Sequence, residues 1–95
     1  MKILAIEKEI QGVKDSDYTP FLEAEARKVW EMQQQGLIRE IYFTDEHYAV
    51  LILEAVDKTD AREIVAQLPL VRHKLIDFDF MILNAYPGYA RLFKT

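Results

Sequence analysis

Hydrophobic residues recur along this chain with two periods, one typical of β-strands and the other of α-helices. Alternating or continuous apolar positions predict strands over residues 2–8, 37–44, 48–55 and 76–83. Spacings of three and four residues predict a helix over 20–35, and a shorter one follows the cap candidates at 57–60. The remaining segments are predicted to be a polar loop at 11–17, a loop at 70–75, a turn at 86–89 and a tail at 90–93. The predicted order is β-α-β-β-α-β.

Proline and glycine mark the expected helix ends. Thr19 and Pro20 predict the start of the first helix, because threonine caps free amides and proline tolerates the first helical position. Gly36 suits the left-handed position just after a helix. Pro69 prevents the second helix from continuing, because proline lacks the amide that the next helical hydrogen bond needs.

This order predicts an α+β fold of the ferredoxin-like class. Two right-handed crossovers place both helices on one face of a four-stranded antiparallel sheet. The other face has no cover within the chain, although the second and third strands are apolar on both faces. We therefore expect two sheets to meet face to face in a homodimer, or within a higher homo-oligomer. The apolar end at Leu92 and Phe93 is a candidate contact with the partner subunit.

Composition excludes several classes of function. The 95 residues predict one domain, 1–95, because so short a chain holds a single core, and 51% of them are hydrophobic. The 12 basic and 16 acidic residues give a net charge of −4, which argues against general nucleic-acid binding. The chain has no cysteine, which removes disulfides, thiolate catalysis and iron–sulfur clusters. The charged N-terminal segment is unlike a signal peptide, and no apolar run reaches the ~18 residues of a membrane span, so a soluble cytoplasmic protein is expected.

Between Glu23 and Pro87, the chain resembles the muconolactone isomerase family of the dimeric α+β barrels. The similar segments are Glu25–Arg27, Gln33–Arg39, Gln67–Leu70 and Ile76–Asp79. They show a helix ending in glutamine and glycine before a strand, then a helix ending in Leu-Pro-Leu before an acidic strand. The resemblance implies this fold, a pocket near subunit contacts, and movement of a proton on an unsaturated lactone without any cofactor.

The chain departs from that family at three places. It has Tyr42 and Phe43 where the family tends to have tryptophan and arginine, and Val71-Arg72-His73 where the family commonly has phenylalanine, proline and tyrosine. It also has Asp45-Glu46-His47 in place of a glycine turn. These changes alter polar groups that could line a pocket, so the substrate stays open within the class that the resemblance implies.

Glu25 is the most informative candidate residue. It falls between Leu22 and Val29 on the apolar face of the first predicted helix. A buried carboxylate must be paired, hydrogen-bonded or protonated. Desolvation would raise its pKa and suit it to act as a general base or acid near neutral pH. The alternative is a structural ion pair.

Arg39 is the second candidate, on the second predicted strand beside apolar neighbours. Its guanidinium could hold a carboxylate or stabilise an enolate oxygen. Alternatively, it pairs across the sheet with Asp77 or Asp79, which share the polar face of the last strand. These two acids are most simply the solvent-exposed side of that strand, paired with Arg39 or with lysine side chains.

Four further residues are candidates for binding a small molecule: Tyr42, His73, Trp30 and Tyr86. Buried aromatic residues most often belong to the core, and the basic triplet 72–74 around His73 is most often solvated. No metal-ligand motif, nucleophilic serine elbow or glycine-rich phosphate loop is present, so neither a metal nor a cofactor is predicted.

The sequence therefore favours a cofactor-independent isomerase with Glu25 and Arg39 as catalytic residues. The alternatives are a non-catalytic dimeric module that binds a small ligand or only assembles, and a cofactor-independent monooxygenase-like relative. An enclosed pocket of roughly 300 Å³ or more with Glu25 in its wall would favour an enzyme, whereas Glu25 paired to Arg27 or Arg39 would favour the module.

Overall fold

Four antiparallel strands form one sheet in the computed structural model, which describes residues 1–93. The strands lie in the order β2-β3-β1-β4. Their bounds are β1 Lys2–Glu9, β2 Ile38–Phe43, β3 Ala49–Glu54 and β4 Ile76–Leu83. The central strand β1 pairs with β3 on one side and with β4 on the other. This is the strand order of a small ferredoxin-like α+β fold, as the sequence predicted.

Helices cover one face of this sheet. The longer ones are α2 (Leu22–Gln34) and α3 (Lys58–Val65), and the four-residue helices are α1 (Asp15–Tyr18) and α4 (Pro69–Arg72). Two short 3₁₀ segments span Thr19–Phe21 and Gly88–Leu92. The core joins both longer helices to the same sheet face, and its largest fully buried side chains are Ile3, Met32, Ile38, Leu51, Leu53 and Leu68.

The first helical region begins earlier and less regularly than predicted. The expected polar loop contains α1, whose start is fixed by a 2.8 Å hydrogen bond from the Lys14 amide to Asp17 Oδ2. Thr19 therefore has helical dihedral angles already and does not act as an N-cap. The prediction that the helix starts at Pro20 was wrong, because Pro20 lies in the 3₁₀ turn and α2 begins at Leu22.

Pro69 starts a helix but does not end one, because α3 already ends at Val65, before the predicted stop at Pro69. It occupies the first turn of α4, within the segment that follows α3, so the predicted loop at 70–75 was partly wrong. Lys74, in the left-handed region with φ 60°, follows α4, and the Leu75 amide closes it by bonding to the Leu70 carbonyl at 2.9 Å. The first turn of α4 leaves amides without helical partners, among them that of Leu70.

Local signals placed the other helix boundaries correctly. Gly36 has φ 77°, and the Leu37 amide bonds to the Met32 carbonyl at 2.9 Å, as in a glycine-terminated helix. Asp57 caps α3 by accepting the Asp60 amide at 2.7 Å. Both features depend only on neighbours in the sequence, which is why they could be predicted.

The strands of the hairpin are shorter than predicted, because its turn is longer. The turn uses two hydrogen bonds, Thr44 amide to Tyr48 carbonyl and His47 amide to Thr44 carbonyl, both 2.9 Å. His47 adopts φ 67° within it. At the other end of β2 the register shifts between Ile38 and Glu40, which leaves Arg39 in a bulge.

The sheet face opposite the helices carries a row of apolar side chains beside charged ones such as Lys8, Asp77 and Asp79, and none of the helices in residues 1–93 covers it. We call it the open face; its strand residues include Leu4, Ile6, Tyr42, Val50, Ile52, Met81 and Leu83. Their exposure ranges from intermediate to high, with Tyr42 at 58%. The prediction that the second and third strands are apolar on both faces holds for β3, whereas β2 places Glu40 beside Tyr42 on the open face.

Residues 84–93 follow β4 as a segment that we call the C-terminal arm. Its large apolar side chains are strongly exposed, with Leu92 at 73% and Phe93 at 78%. The molecule measures 60 × 27 × 22 Å, which is long for a chain of this size. The arm is therefore a second exposed apolar surface, in addition to the open face.

Candidate functional site

A cavity of about 420 Å³ lies between α2 and the helix-facing side of the sheet. Its walls are mostly apolar and come from α2, from all four strands, and from the segment between α3 and α4. Three polar side chains line it: Glu7, Glu25 and Gln33. A concave apolar site with a few converging polar groups is the usual form of a small-molecule site.

Glu25 lies in this wall, half-buried, as its position on the apolar face of the helix predicted. Its Oε1 accepts the Leu70 amide at 2.9 Å, which satisfies the first turn of α4. Burial raises the pKa of Glu25, and the negative charge of Glu7 raises it further, while the Leu70 hydrogen bond lowers it. Among residues 1–93, no arginine or lysine forms an ion pair with Glu25, and Arg27 pairs with Glu23 instead at 3.3 Å.

Glu7 is the cavity residue that sequence analysis missed. It continues the alternation of Ile3 and Ala5 along β1, which places it on the helix-facing side of the sheet. Pairing between β1 and β3 ends at Ile6, and the Glu7 Oε1 then accepts the Ala49 amide at 2.9 Å. The alternation along β1 could have identified Glu7. A charged residue near a strand end, however, is ordinarily assigned to solvent.

The structure brings Trp30 to the same cavity as Glu25 but keeps Arg39 and Tyr42 outside it. Trp30 lines the cavity and is 62% exposed. Arg39 lies in the β2 bulge, with its Nη2 3.8 Å from Glu54 Oε1. The Tyr42 hydroxyl donates to Glu40 Oε1 at 2.8 Å on the open face.

The other two predicted binding residues also lie away from this cavity. The His73 ring stacks on Phe21 with 4.2 Å between centroids. Tyr86 belongs to the C-terminal arm, where its ring meets that of Tyr89 edge-on at 5.1 Å. Neither side chain lines the cavity that holds Glu25.

Asp77 and Asp79 pair with a lysine, one of the two partners that the sequence suggested. Lys8 Nζ lies 3.7 Å from Asp77 Oδ2 and 3.1 Å from Asp79 Oδ1. The hydrogen bond to Asp79 is the main cause of the raised pKa of Lys8. Arg39 lies on β2, at the opposite edge of the sheet from β4, which explains why it pairs with Glu54 instead.

Within residues 1–93, no three histidine or acidic side chains form a group that could hold a metal ion. Over the same residues, no helix combines the length and the apolar character needed to cross a membrane.

We predict that Glu25→Gln raises the stability of the protein at pH 7. A carboxyl group whose pKa is raised by folding stabilises the protein below its unfolded pKa, near 4.5, and this contribution is lost as the pH rises through the folded pKa. At neutral pH the ionised Glu25 therefore opposes folding, whereas glutamine has no charge and still accepts the Leu70 amide. Thermal unfolding at pH 7 and pH 4 measures the difference.

Glu63→Gln is the matched control for this prediction, because Glu63 is exposed on α3. The gain in Tm should appear for Glu25→Gln at pH 7, shrink at pH 4, and be absent for the control. A Tm at pH 7 equal to or below that of the wild type would contradict the assignment of a raised pKa to Glu25.

The sequence matches no protein-family model, and a search of curated proteins finds no match. The likeness to muconolactone isomerases therefore rests on the four segments quoted above.

Proposed function

We propose that this protein is a cofactor-independent isomerase that moves a proton on an unsaturated lactone or a related small oxygenated compound, with Glu25 as the base. The observation that carries the proposal is a half-buried carboxylate in the wall of an apolar cavity of about 420 Å³. Its raised pKa brings the carboxyl group closer to the range in which a general base works at neutral pH. The apolar walls limit competing water and leave the charge of the base poorly solvated.

The proposed step conserves atoms and electrons without a co-reactant. Glu25 removes a proton from the carbon next to the lactone carbonyl, and the electrons of that C–H bond form a conjugated enolate. A proton then adds to the γ-carbon, so the C=C bond moves from the β,γ to the α,β position. The reaction is a net isomerisation, which agrees with the cofactor-free chemistry that the family resemblance implies.

The cavity suggests which groups assist Glu25. The Leu70 amide holds Oε1, and this fixes the orientation of the carboxylate on α2. Gln33 is the neutral amide in the wall, and its NH₂ group is a donor suited to an enolate oxygen. In this proposal Gln33 stabilises the enolate oxygen, the role predicted from the sequence for Arg39, because Arg39 lies outside the cavity of its own chain.

We also propose that the protein acts as a homodimer in which the open faces of two sheets meet. The support is the row of apolar side chains on that face, together with the exposed C-terminal arm. Two twisted sheets can pack face to face across such a surface, and a two-fold dimer uses the same patch twice. The cavity lies on the helix side of the sheet, so each protomer of this dimer contains its own cavity.

The test of the isomerase uses α-angelica lactone, a β,γ-unsaturated γ-lactone, in D₂O. Proton NMR follows both migration of the double bond and deuterium uptake into the ring. We expect the wild type to accelerate migration over buffer, and Glu25→Gln to lower the rate by at least about 100-fold, because a positioned general base contributes that much. Glu63→Gln, outside the cavity on α3, should match the wild type.

A second candidate function is non-catalytic binding of a small apolar ligand, which the mostly apolar walls favour. In that case, the lactone should shift the amide signals of residues around the cavity in wild type and Glu25→Gln alike, with no migration of the double bond in either. Migration at the buffer rate in wild type would contradict the isomerase. Equal acceleration by wild type and Glu25→Gln would remove Glu25 from the mechanism.

A further inference from the structure

Two carboxylates from different layers of the fold share the cavity. Glu25 is on α2 and Glu7 is on β1, so helix and sheet each contribute one acid to the same apolar space. Each uses one oxygen to accept a single main-chain amide, from Leu70 and from Ala49, both at 2.9 Å. Each carboxylate is therefore positioned in the same way, by one hydrogen bond from a main-chain amide of a neighbouring segment.

We propose that Glu7 is the second proton-transfer group of this cavity and forms an acid–base couple with Glu25. This inference rests on the proposed isomerase and adds a role that the Glu25 mechanism leaves open, the source of the proton that reaches the γ-carbon. In the couple, the two carboxyl groups share one proton, and the reactive form is the one that carries this proton on Glu7 and leaves Glu25 free to act as the base. Glu25 takes the α-proton, Glu7 delivers its own proton to the γ-carbon, and one proton then returns from Glu25 to Glu7 through solvent.

Electrostatics favours one shared proton over two full charges. Like charges in an apolar space repel, so the charge of one carboxylate disfavours ionisation of a second that lines the same cavity. The charge of Glu7 acts in this direction on the pKa of Glu25. No cationic side chain among the described residues lines the cavity.

Glu7 also has a structural role, because its bond to Ala49 ties β1 to β3 beyond the end of their pairing. Glu7→Gln separates this role from proton transfer, since a glutamine oxygen still accepts the amide but cannot donate a carboxyl proton. The matched control is Glu9→Gln. Glu9 is two residues along the same strand, accepts the Tyr48 hydroxyl at 2.7 Å and lies outside the cavity.

The experiment compares two readouts in the full-length protein. Carbon-13 NMR of the glutamate carboxyl groups measures the pKa of Glu25, which should fall in Glu7→Gln because a like charge is removed, and stay constant in Glu9→Gln. With α-angelica lactone in D₂O, Glu7→Gln should slow double-bond migration by about 10-fold or more while deuterium exchange at the α-carbon continues. Glu9→Gln should leave the ratio of migration to exchange unchanged.

The two readouts keep the two proposals distinguishable. An unchanged pKa of Glu25 in Glu7→Gln overturns the couple, and so does an unchanged ratio of migration to exchange wherever the wild type converts the lactone; in both cases Glu25 can still be the base. If the wild type does not convert the lactone, the proposed isomerase fails on this substrate. The test of the couple then rests on the pKa of Glu25 in Glu7→Gln alone. A fall in this pKa supports a coupled pair, and no change overturns it.

Discussion

Replacing Leu4 with lysine should leave the chain folded but abolish the proposed dimer at micromolar concentrations. Leu4 lies in the middle of the open face, where its cross-strand partners are Ile52 on β3 and Met81 on β4. In one chain this site has intermediate exposure, so a lysine can extend its ammonium group into water. Between two sheets the same ammonium would be buried without a partner, at a cost of several kcal/mol.

A cost of about 3 kcal/mol weakens dimerisation by more than about 100-fold. Sedimentation velocity over a range of concentrations measures it, with circular dichroism to confirm folding. Glu63→Gln is the control, because it changes the net charge by the same amount on the helix side of the molecule. A wild type that sediments as a monomer at all concentrations would refute the dimer, and a Leu4→Lys protein that still dimerises would exclude the open face as its interface.

Truncation of Leu53 to alanine should lower the free energy of unfolding by about 2–5 kcal/mol. Leu53 is fully buried, at 0% exposure, on the helix-facing side of β3. Its cross-strand neighbours are Ile3 on β1 and Ile38 on β2, both also in the core. Alanine at this position would lose apolar contacts on both sides and leave a cavity that the flanking strands cannot close. Urea unfolding of the dilute protein measures the change.

The adjacent residue, Ile52, provides the comparison. It has the same backbone environment on β3, but its side chain is on the open face with intermediate exposure. Ile52→Ala should therefore cost clearly less than Leu53→Ala in the dilute protein, about 1 kcal/mol, because less apolar surface returns to water. Equal costs for the two substitutions would contradict the assignment of one covered and one open face.

Features that depend on local sequence could be predicted well. The alternation in β4 placed Ile76 and Phe78 in the core and Asp77 and Asp79 in solvent, because period two is a property of the strand itself. The end of α2 could likewise be predicted, since Gly36 follows the last turn directly. Local patterns failed where the backbone conformation depends on preceding residues, as at Thr19, where α1 already sets helical angles.

Partners across the sheet were harder to predict, because they depend on strand order. One alternative for Arg39 was a pair with Asp77 or Asp79, yet β2 and β4 are the two edges of the sheet, with β3 and β1 between them. The neighbour of β2 is β3, and this strand supplies Glu54. The lysine that meets the two aspartates comes from β1, the strand adjacent to β4.

The candidate site could be predicted only in part, because local periodicity places one of its two acids and a tertiary contact places the other. Helix periodicity alone placed Glu25 toward the core, and the structure agrees. Glu7 has no such signal, because its place depends on where the pairing of β1 with β3 ends and on the free amide of Ala49. A charged residue near a strand end suggests solvent until that tertiary contact is known.

The single-layer sheet has a consequence for how this protein can change. On β3, Ala49 and Leu51 line the cavity, whereas Val50 and Ile52 lie on the open face. Odd positions of this strand therefore shape the cavity, and even positions form part of the proposed dimer interface. Mutations at the two sets can accumulate independently, so the shape of the cavity can change among descendants of this protein while the proposed dimer interface is retained.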